Sequence, residues 1–239
     1  MIKTSHAISF FAVFLAVSVL FSSLGARFFA TDTGVLTGGE GVVTRAVVID
    51  AGHGGIDGGT TGSDGTLEKD LNLAVSKKLA ALFTLAGYTV VMTRSDDRSL
   101  AANDAPKGHV KQSDLDTRLS ILNEHPNALF VSIHMNAYQG AACRGLQVWY
   151  SEGAPSSAEY AAAVQEGVKA LLQPQNNRKT KVATSSIYLL RQARTPAILI
   201  ECGFLSNDAE REDLKNEEYQ RALALAIFAS LHQKMCSNT

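Results

Sequence analysis

Strand-length apolar runs alternate with helix-length amphipathic stretches from Arg45 to the end of the chain. The runs are rich in Val, Ile and Leu, which is typical of strands that are covered on both faces of a sheet. We place them at 46–50, 88–93, 129–134, 145–150 and 197–201. The predicted helices are 69–86, 114–124, 156–172 and 217–234. This alternation predicts an α/β domain, with a mostly parallel, twisted sheet of about six strands and helices on both faces.

The composition fits one folded domain of ordinary polarity. Of the 239 residues, 46% are hydrophobic and 19% are charged, and 22 Lys and Arg stand against 23 Asp and Glu. This balance excludes an intrinsically disordered chain, and it leaves no excess of positive charge for binding a nucleic acid. The three cysteines, Cys143, Cys202 and Cys236, are too widely spaced for a disulfide scaffold or a cysteine zinc site.

The N-terminal segment indicates export from the cytoplasm. Twenty uncharged residues lie between His6 and Arg27, and an apolar helix of that length can span a bilayer. The same stretch also fits a signal peptide, because small residues near its end suit cleavage. Lys3 before the apolar run predicts that the rest of the chain is extracytoplasmic. We therefore predict an N-terminal apolar helix as signal peptide or membrane anchor over 1–30, a linker over 31–44, and a folded domain over 45–236.

Three side chains able to bind a metal or a proton lie at the ends of predicted strands. His53 lies in a glycine-rich loop directly after the first strand, and His134 and Glu201 end two later strands. Because the carboxyl ends of parallel strands meet at the same edge of a sheet, we expect these side chains to lie close together. A glycine-rich loop between a strand and a helix can also bind phosphate, but neither GxxxxGK[ST] nor GxGxxG is present here.

Two imidazoles and one carboxylate are the protein ligands of many catalytic zinc ions, which keep a fourth position open for water. Two glutamates compete for the place of the third ligand. They are Glu201 and Glu68, which lies at the start of the first long helix. The glutamate that does not bind zinc is expected to act as the general base. The residues alone leave open which glutamate has which role.

Five segments carry a family resemblance, in the order in which the family has them. They are Val48–Gly55, Glu68–Leu73, Val91–Arg94, Phe130–Ala137 and Leu199–Asn207. On these motifs the chain resembles the zinc-dependent N-acetylmuramoyl-L-alanine amidases, which cleave the peptidoglycan amide between N-acetylmuramic acid and the L-Ala of the stem peptide. The resemblance implies that one Zn²⁺ is bound by His53, Glu68 and His134, and that Glu201 is the catalytic glutamate. Ala51 replaces the proline that is usual in the family, which affects loop stiffness and leaves the ligands untouched.

Weaker predictions concern other polar residues near these motifs. Asn136 lies two residues after His134, on the same face of the strand, and is predicted to bind substrate or to cap the strand end. Arg94 is predicted to bind a peptide carboxylate or to hold a loop through a salt bridge. Asp50 is expected to orient a ligand histidine. The basic run 178–181 is interpreted as a solvated loop, with contact to the cell wall or to a partner as the alternative.

The connection 95–113 is longer than is usual in the family, and we expect it to lie near the functional edge of the sheet. With this connection the chain resembles the spore-cortex amidases of endospore formers. That resemblance implies stem removal before a coupled deacetylase completes muramic-δ-lactam. It also implies peptidoglycan as substrate and an activating or anchoring protein or lipoprotein as partner, with no nucleic acid. Two alternatives remain, a noncatalytic peptidoglycan-binding module and a zinc peptidase that cuts within the stem.

Overall fold

The structure is a computed structural model that describes residues 45–140 and 142–237. The predicted signal peptide or anchor and the linker, over 1–44, lie outside these residues. Within the described part of the chain, no helix combines the length and the hydropathy needed to cross a membrane.

Six strands and six helices make up the described part of the chain. The strands are β1 Ala46–Ala51, β2 Thr89–Met92, β3 Leu129–Asn136, β4 Gln147–Tyr150, β5 Lys181–Val182 and β6 Ala197–Phe204. The helices are α1 Glu68–Leu85, α2 Val110–Asn123, α3 Ser156–Leu171, α4 Tyr188–Gln192, α5 Asp208–Lys215 and α6 Glu217–Ser237. Each predicted strand and helix is present, with ends that differ by a few residues.

All six strands belong to one sheet in the order β2-β1-β3-β6-β4-β5. Strands β2, β1, β3 and β6 run parallel to one another. Strand β4 runs antiparallel to β6, and β5 pairs in parallel with β4. The prediction of a mostly parallel sheet of six strands is therefore confirmed, and its two departing strands lie together at one edge.

Helices cover both faces of the sheet, as predicted. On one face, α1, α3 and α6 pack on alternate strand residues such as Ile49, Ile133 and Ile200. On the other face, α2 and α4 pack on the intervening residues, including Phe130 and Leu199. Both faces of the central strands are thus buried in apolar contacts, which explains why their sequences are nearly continuous runs of Val, Ile and Leu.

Some boundaries differ from the prediction for local reasons. Helix α2 begins at Val110 rather than Asp114, because the Asp114 carboxylate accepts hydrogen bonds from Leu100 N and Arg118 Nε instead of capping the helix. Helix α5 was not predicted because it is short and polar, although Asn207 caps it by accepting from the backbone N–H of Glu210. The two-residue β5 and five-residue α4 are too short to give a periodic signal.

Candidate active site

The three predicted ligands come together at the carboxyl edge of the sheet. His53 follows β1, His134 lies near the end of β3, and Glu68 is the first residue of α1. One candidate ligand atom from each residue lies within 4.8 Å of the other two. Glu68 Oε1 is 2.9 Å from His134 Nδ1 and 3.3 Å from His53 Nε2. These three side chains can therefore hold a single metal ion.

The Glu68 carboxylate is fully engaged on its own side of the site. Oε1 accepts from the backbone N–H of Met135 at 3.1 Å and from Asn72 Nδ2 at 3.3 Å, while Oε2 accepts from the N–H of Thr60 at 2.8 Å. Burial works to raise the pKa of Glu68, but hydrogen bonds from the two histidines outweigh it and hold the pKa far below its usual range. Glu68 is therefore ionised at any physiological pH, as a metal ligand must be.

The backbone around His53 has a conformation that brings the ring into the site. His53 has a φ of +61°, and it is the one non-glycine residue with positive φ in the described part of the chain. A methyl group on Gly52 would collide with the His134 ring, and one on Gly59 would lie 2.7 Å from His53 Cδ2. The glycines on either side of His53 thus provide the room in which the two rings and Glu68 meet.

Asp57 fixes the orientation of the His53 ring. Its Oδ2 lies 2.8 Å from His53 Nδ1, and its Oδ1 accepts from the backbone N–H of Gly59. A carboxylate at Nδ1 keeps a proton there, so Nε2, which faces Glu68, is the ring nitrogen that can lose its proton and bind a metal. The sequence contains a signal for this contact, an aspartate four residues after the histidine, but the spacing alone does not distinguish it from a solvent-exposed loop residue.

Glu201 lies beside the three-residue cluster on the neighbouring strand. It pairs in register with His134 across β3 and β6, so the two side chains extend from the same face of the sheet. Its Oε2 atom is buried and has no hydrogen-bond partner among the described residues. Burial raises the pKa of Glu201 to about 7, with His134 opposing the shift and Glu68 adding to it. The site therefore holds a carboxyl group that can exchange a proton near neutral pH.

Asp50 and Arg118 support the backbone of the loop that carries His53. The buried Asp50 accepts hydrogen bonds from Thr93, Ser132 and Arg118. Arg118 donates in turn to the carbonyl oxygens of Ala51 at 2.9 Å and His53 at 2.7 Å. Asp50 thus holds Arg118, and Arg118 holds the strained backbone at His53. That Asp50 orients a ligand histidine stays a prediction, and these contacts give it a route through Arg118.

Arg94 has a structural role in place of the predicted contact with substrate. Its side chain is fully buried and donates to the carbonyl oxygens of Ala51, Gly52, Lys69 and Asp96. A peptide carboxylate cannot reach a guanidinium group enclosed in this way. The prediction that Arg94 holds a loop fits the structure, although through backbone carbonyls instead of a salt bridge.

Asn136 and the long connection lie at the edge that carries the site. The half-buried Asn136 is the last residue of β3, and its carbonyl accepts from the N–H of Leu205 at the end of β6. In the long connection, the Asp97 carboxylate accepts from Gly55 N at 2.8 Å and from Lys69 Nζ at 2.7 Å. The expectation that this connection lies near the functional edge is confirmed.

Comparison with known proteins agrees with this geometry. The model of the N-acetylmuramoyl-L-alanine amidase family (Amidase_3) matches residues 47–233. The chain belongs to this family. It is therefore a member of a family of hydrolases, and the resemblance drawn from the five sequence motifs is confirmed.

Relatives within the amidase family include proteins of Bacillus and Clostridioides. The germination-specific N-acetylmuramoyl-L-alanine amidase of Bacillus subtilis is 32% identical over 189 residues, which cover 78% of this chain and 78% of the relative. The structure of the CwlD amidase from Clostridioides difficile in complex with the GerS lipoprotein shares 37% identity with a TM-score of 0.77, covering 81% of this chain and 99% of that one. An N-acetylmuramoyl-L-alanine amidase from Clostridium difficile 630 has 33% identity and a TM-score of 0.69, with coverage of 82% and 99%.

Proposed function

We propose that this amidase is zinc-dependent and hydrolyses the bond between the lactyl group of N-acetylmuramic acid and the L-Ala of the stem peptide. The observation that carries the proposal is the meeting of His53, Glu68 and His134 within 4.8 Å, with Glu201 in register beside them. In this proposal the first three residues bind one Zn²⁺ and Glu201 transfers protons.

The donor set fits zinc. Two imidazole nitrogens and one carboxylate oxygen are ligands that catalytic zinc commonly takes, and the ionised Glu68 reduces the charge of the bound ion. Asp57 at His53 Nδ1 supplies the outer hydrogen bond that zinc-binding histidines usually have. When bound, zinc supplies Lewis acidity that polarises the scissile carbonyl and acidifies water.

Glu201 is suited to move the proton. Its carboxyl group lies in register with His134 and has a buried oxygen without a hydrogen-bond partner among the described residues, so it is placed to accept a proton and return it. We infer that Glu201 takes a proton from the attacking water and then delivers one to the leaving nitrogen of L-Ala. Its buried Oε2 makes no hydrogen bond to a described residue, so this oxygen is free to accept a proton from water.

The cellular role we propose is maturation of the spore cortex. The support comes from relatives, since one is named as germination-specific and another is a CwlD amidase in complex with a lipoprotein. In this role the enzyme acts outside the cytoplasm, where its N-terminal segment anchors or exports it. A lipoprotein would be its activating or anchoring partner, and a deacetylase would complete muramic-δ-lactam after stem removal.

Mass spectrometry of digested peptidoglycan tests the activity. The zinc-loaded protein should release free stems that begin with L-Ala and leave muramic acid without peptide. Chelation should stop the release and added zinc should restore it. Products cut within the stem would indicate the peptidase instead, and binding without any product would indicate a noncatalytic module. Either result overturns the proposal.

A further inference from the structure

Four basic residues lie in or shortly before β4 and β5, the two strands at the antiparallel edge of the sheet. They are Arg144, Arg178, Lys179 and Lys181, which we call the basic strip. Arg178 is half-buried and the other three are exposed. None of the four forms an ion pair within 4.0 Å with any residue that the structure describes. The protein has a net charge of only −1, so this is a local concentration of positive charge and not a general property of the chain.

Gln147 connects the basic strip to the candidate active site. It lies in β4 directly opposite Glu201 of β6. The Gln147 side chain donates to the carbonyl of Lys179 at 2.8 Å and accepts from Arg178 Nη1 at 3.3 Å. Residues 178 and 179 are therefore hydrogen-bonded to the residue that lies opposite Glu201 in the sheet.

Lys181 lies on the face of the sheet that carries Glu201. Its Nζ lies 5.1 Å from the centre of the Trp149 ring. Trp149 packs in the same apolar cluster as Leu199, which is two residues before Glu201 and hence on the same face of β6. Arg178 lies 4.3 Å over the ring of Phe204, the last residue of β6, and donates to Gln147, the register partner of Glu201. These contacts place Arg178 and Lys181 beside the strand that carries Glu201.

The charge of the strip is available to a ligand. The nearby acid that interacts electrostatically with Arg144 and Arg178 is Glu210, and it is buried and accepts hydrogen bonds from the backbone N–H groups of Gly145 and Phe204. The carboxylate oxygens of Glu210 thus bind backbone N–H groups and form no ion pair with the strip. Arg178 donates to the carbonyl of Arg144 and to Gln147, while Lys179 and Lys181 are exposed. Lys179 and Lys181 have compact, mobile charges that suit a carboxylate.

The spacing of the strands matches the length of a short peptide. Neighbouring strands lie about 4.8 Å apart, and Arg178 and Lys179 are hydrogen-bonded to Gln147, the residue of β4 that lies opposite Glu201. An extended peptide advances about 3.3 Å per residue, so about one or two residues cover the distance from β6 to β4. With L-Ala at Glu201, the next stem residue therefore lies near the part of the strip that contacts Gln147. The residue after L-Ala in peptidoglycan is a glutamyl residue, whose carboxyl group is either free or amidated.

We propose that the basic strip binds a carboxylate of the stem peptide on the leaving-group side of the scissile amide. This inference rests on the proposed amidase function and adds a basis for specificity to it. The strip favours stems with a free carboxylate after L-Ala over stems in which that group is amidated. Because the strip is exposed, the preference weakens as salt rises.

Two matched muramoyl peptides test the inference. They differ only in a carboxylate or a carboxamide on the residue after L-Ala, and both are given to the full-length, zinc-loaded protein. The double variant Lys179→Ala/Lys181→Ala should lower kcat/KM for the carboxylate substrate by about 3- to 10-fold, the range for exposed charge pairs, and should do so through KM. Its kcat/KM for the carboxamide substrate should stay within about 2-fold of the wild-type value.

Two controls accompany the double variant. Lys77→Ala removes an exposed lysine on α1, nine residues along the helix from Glu68, and should leave the preference unchanged. Lys179→Arg/Lys181→Arg keeps the charge and should keep the preference. Equal losses on both substrates, no loss on either, or a loss seen only with intact cell walls would each overturn the inference. If the wild type cleaves neither substrate, the proposed function itself fails and the inference fails with it.

Discussion

The two glutamates of the site, Glu68 and Glu201, lie in opposite environments. On the side built from β1, β3 and α1, Glu68 accepts hydrogen bonds at both carboxylate oxygens, and its pKa lies far below the usual range. On the side built from β6 and β4, Glu201 has a buried oxygen without a partner among the described residues, and its pKa is raised to about 7. Both lie close to His134.

This difference separates two kinds of chemistry that the residue type alone cannot distinguish. A carboxylate held ionised by several donors is suited to remain a ligand, because protonation would break its contacts. A buried carboxyl group without partners is suited to gain and lose a proton, because neither state is strongly favoured near neutral pH. Substitutions on the two sides of the site can remove this contrast or measure it.

The largest effect on activity is expected from replacing each glutamate separately. Glu68→Ala should lose bound zinc and activity together. Glu201→Gln should keep most of the zinc and lower the rate by about 100-fold or more, because the side-chain shape remains while proton transfer is lost. Metal analysis and turnover on the same two preparations check both expectations. If Glu201→Gln empties the site while Glu68→Ala retains zinc, the two roles must be exchanged.

Removing the Arg118 side chain should destabilise the His53 loop on the Glu68 side of the site, although Arg118 donates a hydrogen bond to neither glutamate. Arg118→Ala leaves Asp50 buried without its charged partner and frees the carbonyl of His53, so we expect the free energy of unfolding to fall by about 3–5 kcal/mol. The zinc affinity of the remaining folded protein should fall as well. Chemical denaturation and zinc titration measure the two effects. Arg98→Ala, at an exposed ion pair with Asp96, is the matched control and should change stability by less than about 1 kcal/mol.

The raised pKa of Glu201 predicts that the stability of the metal-free protein depends on pH. The unfolded carboxyl group loses its proton near its ordinary pKa of 4.5, whereas the folded one keeps it up to about 7. The unfolded state therefore binds fewer protons over this range, and the stability of the wild type should fall as pH rises from about 4.5 through about 7. Relative to Glu201→Gln, the loss should reach about 3 kcal/mol at pH 8.

Denaturation of the wild type and Glu201→Gln at several pH values, with chelator present, measures this difference. A gap that widens between pH 4.5 and 7 and then stays constant supports the raised pKa. Curves that remain parallel over the whole range would show that Glu201 ionises as an ordinary carboxyl group. The contrast with Glu68 would then be lost.

The smallest effect is expected from the support of His53. Asp57→Asn keeps the size of the side chain but removes the carboxylate at Nδ1, so zinc affinity should fall by about 10- to 100-fold. Competition with a fluorescent chelator measures the change. Asp104→Asn alters an exposed aspartate in the long connection and serves as the control. Unchanged affinity in Asp57→Asn would mean that the ring orientation is determined by other contacts.

The main features of the fold were predictable because they depend on local patterns. Near-continuous apolar runs identified the central strands, and Gly87, with a φ of +81°, follows α1 where the helix was expected to end. The antiparallel direction of β4 was not predictable in this way. Strand direction depends on which neighbours pair, and the run that forms β4 has the same apolar character as the parallel strands.

The sequence by itself determined the four residues proposed as ligands and proton carrier, because motif order and strand ends are local properties. Only the tertiary structure decided how each is held. Arg118 and Asp50 are 68 positions apart in the chain, and Gln147 meets Glu201 only through strand pairing. Burial and hydrogen-bond satisfaction are sums over such distant neighbours, so they separate an ionised glutamate from a protonatable one and favour, of the two roles predicted for Arg94, the one in which it holds a loop.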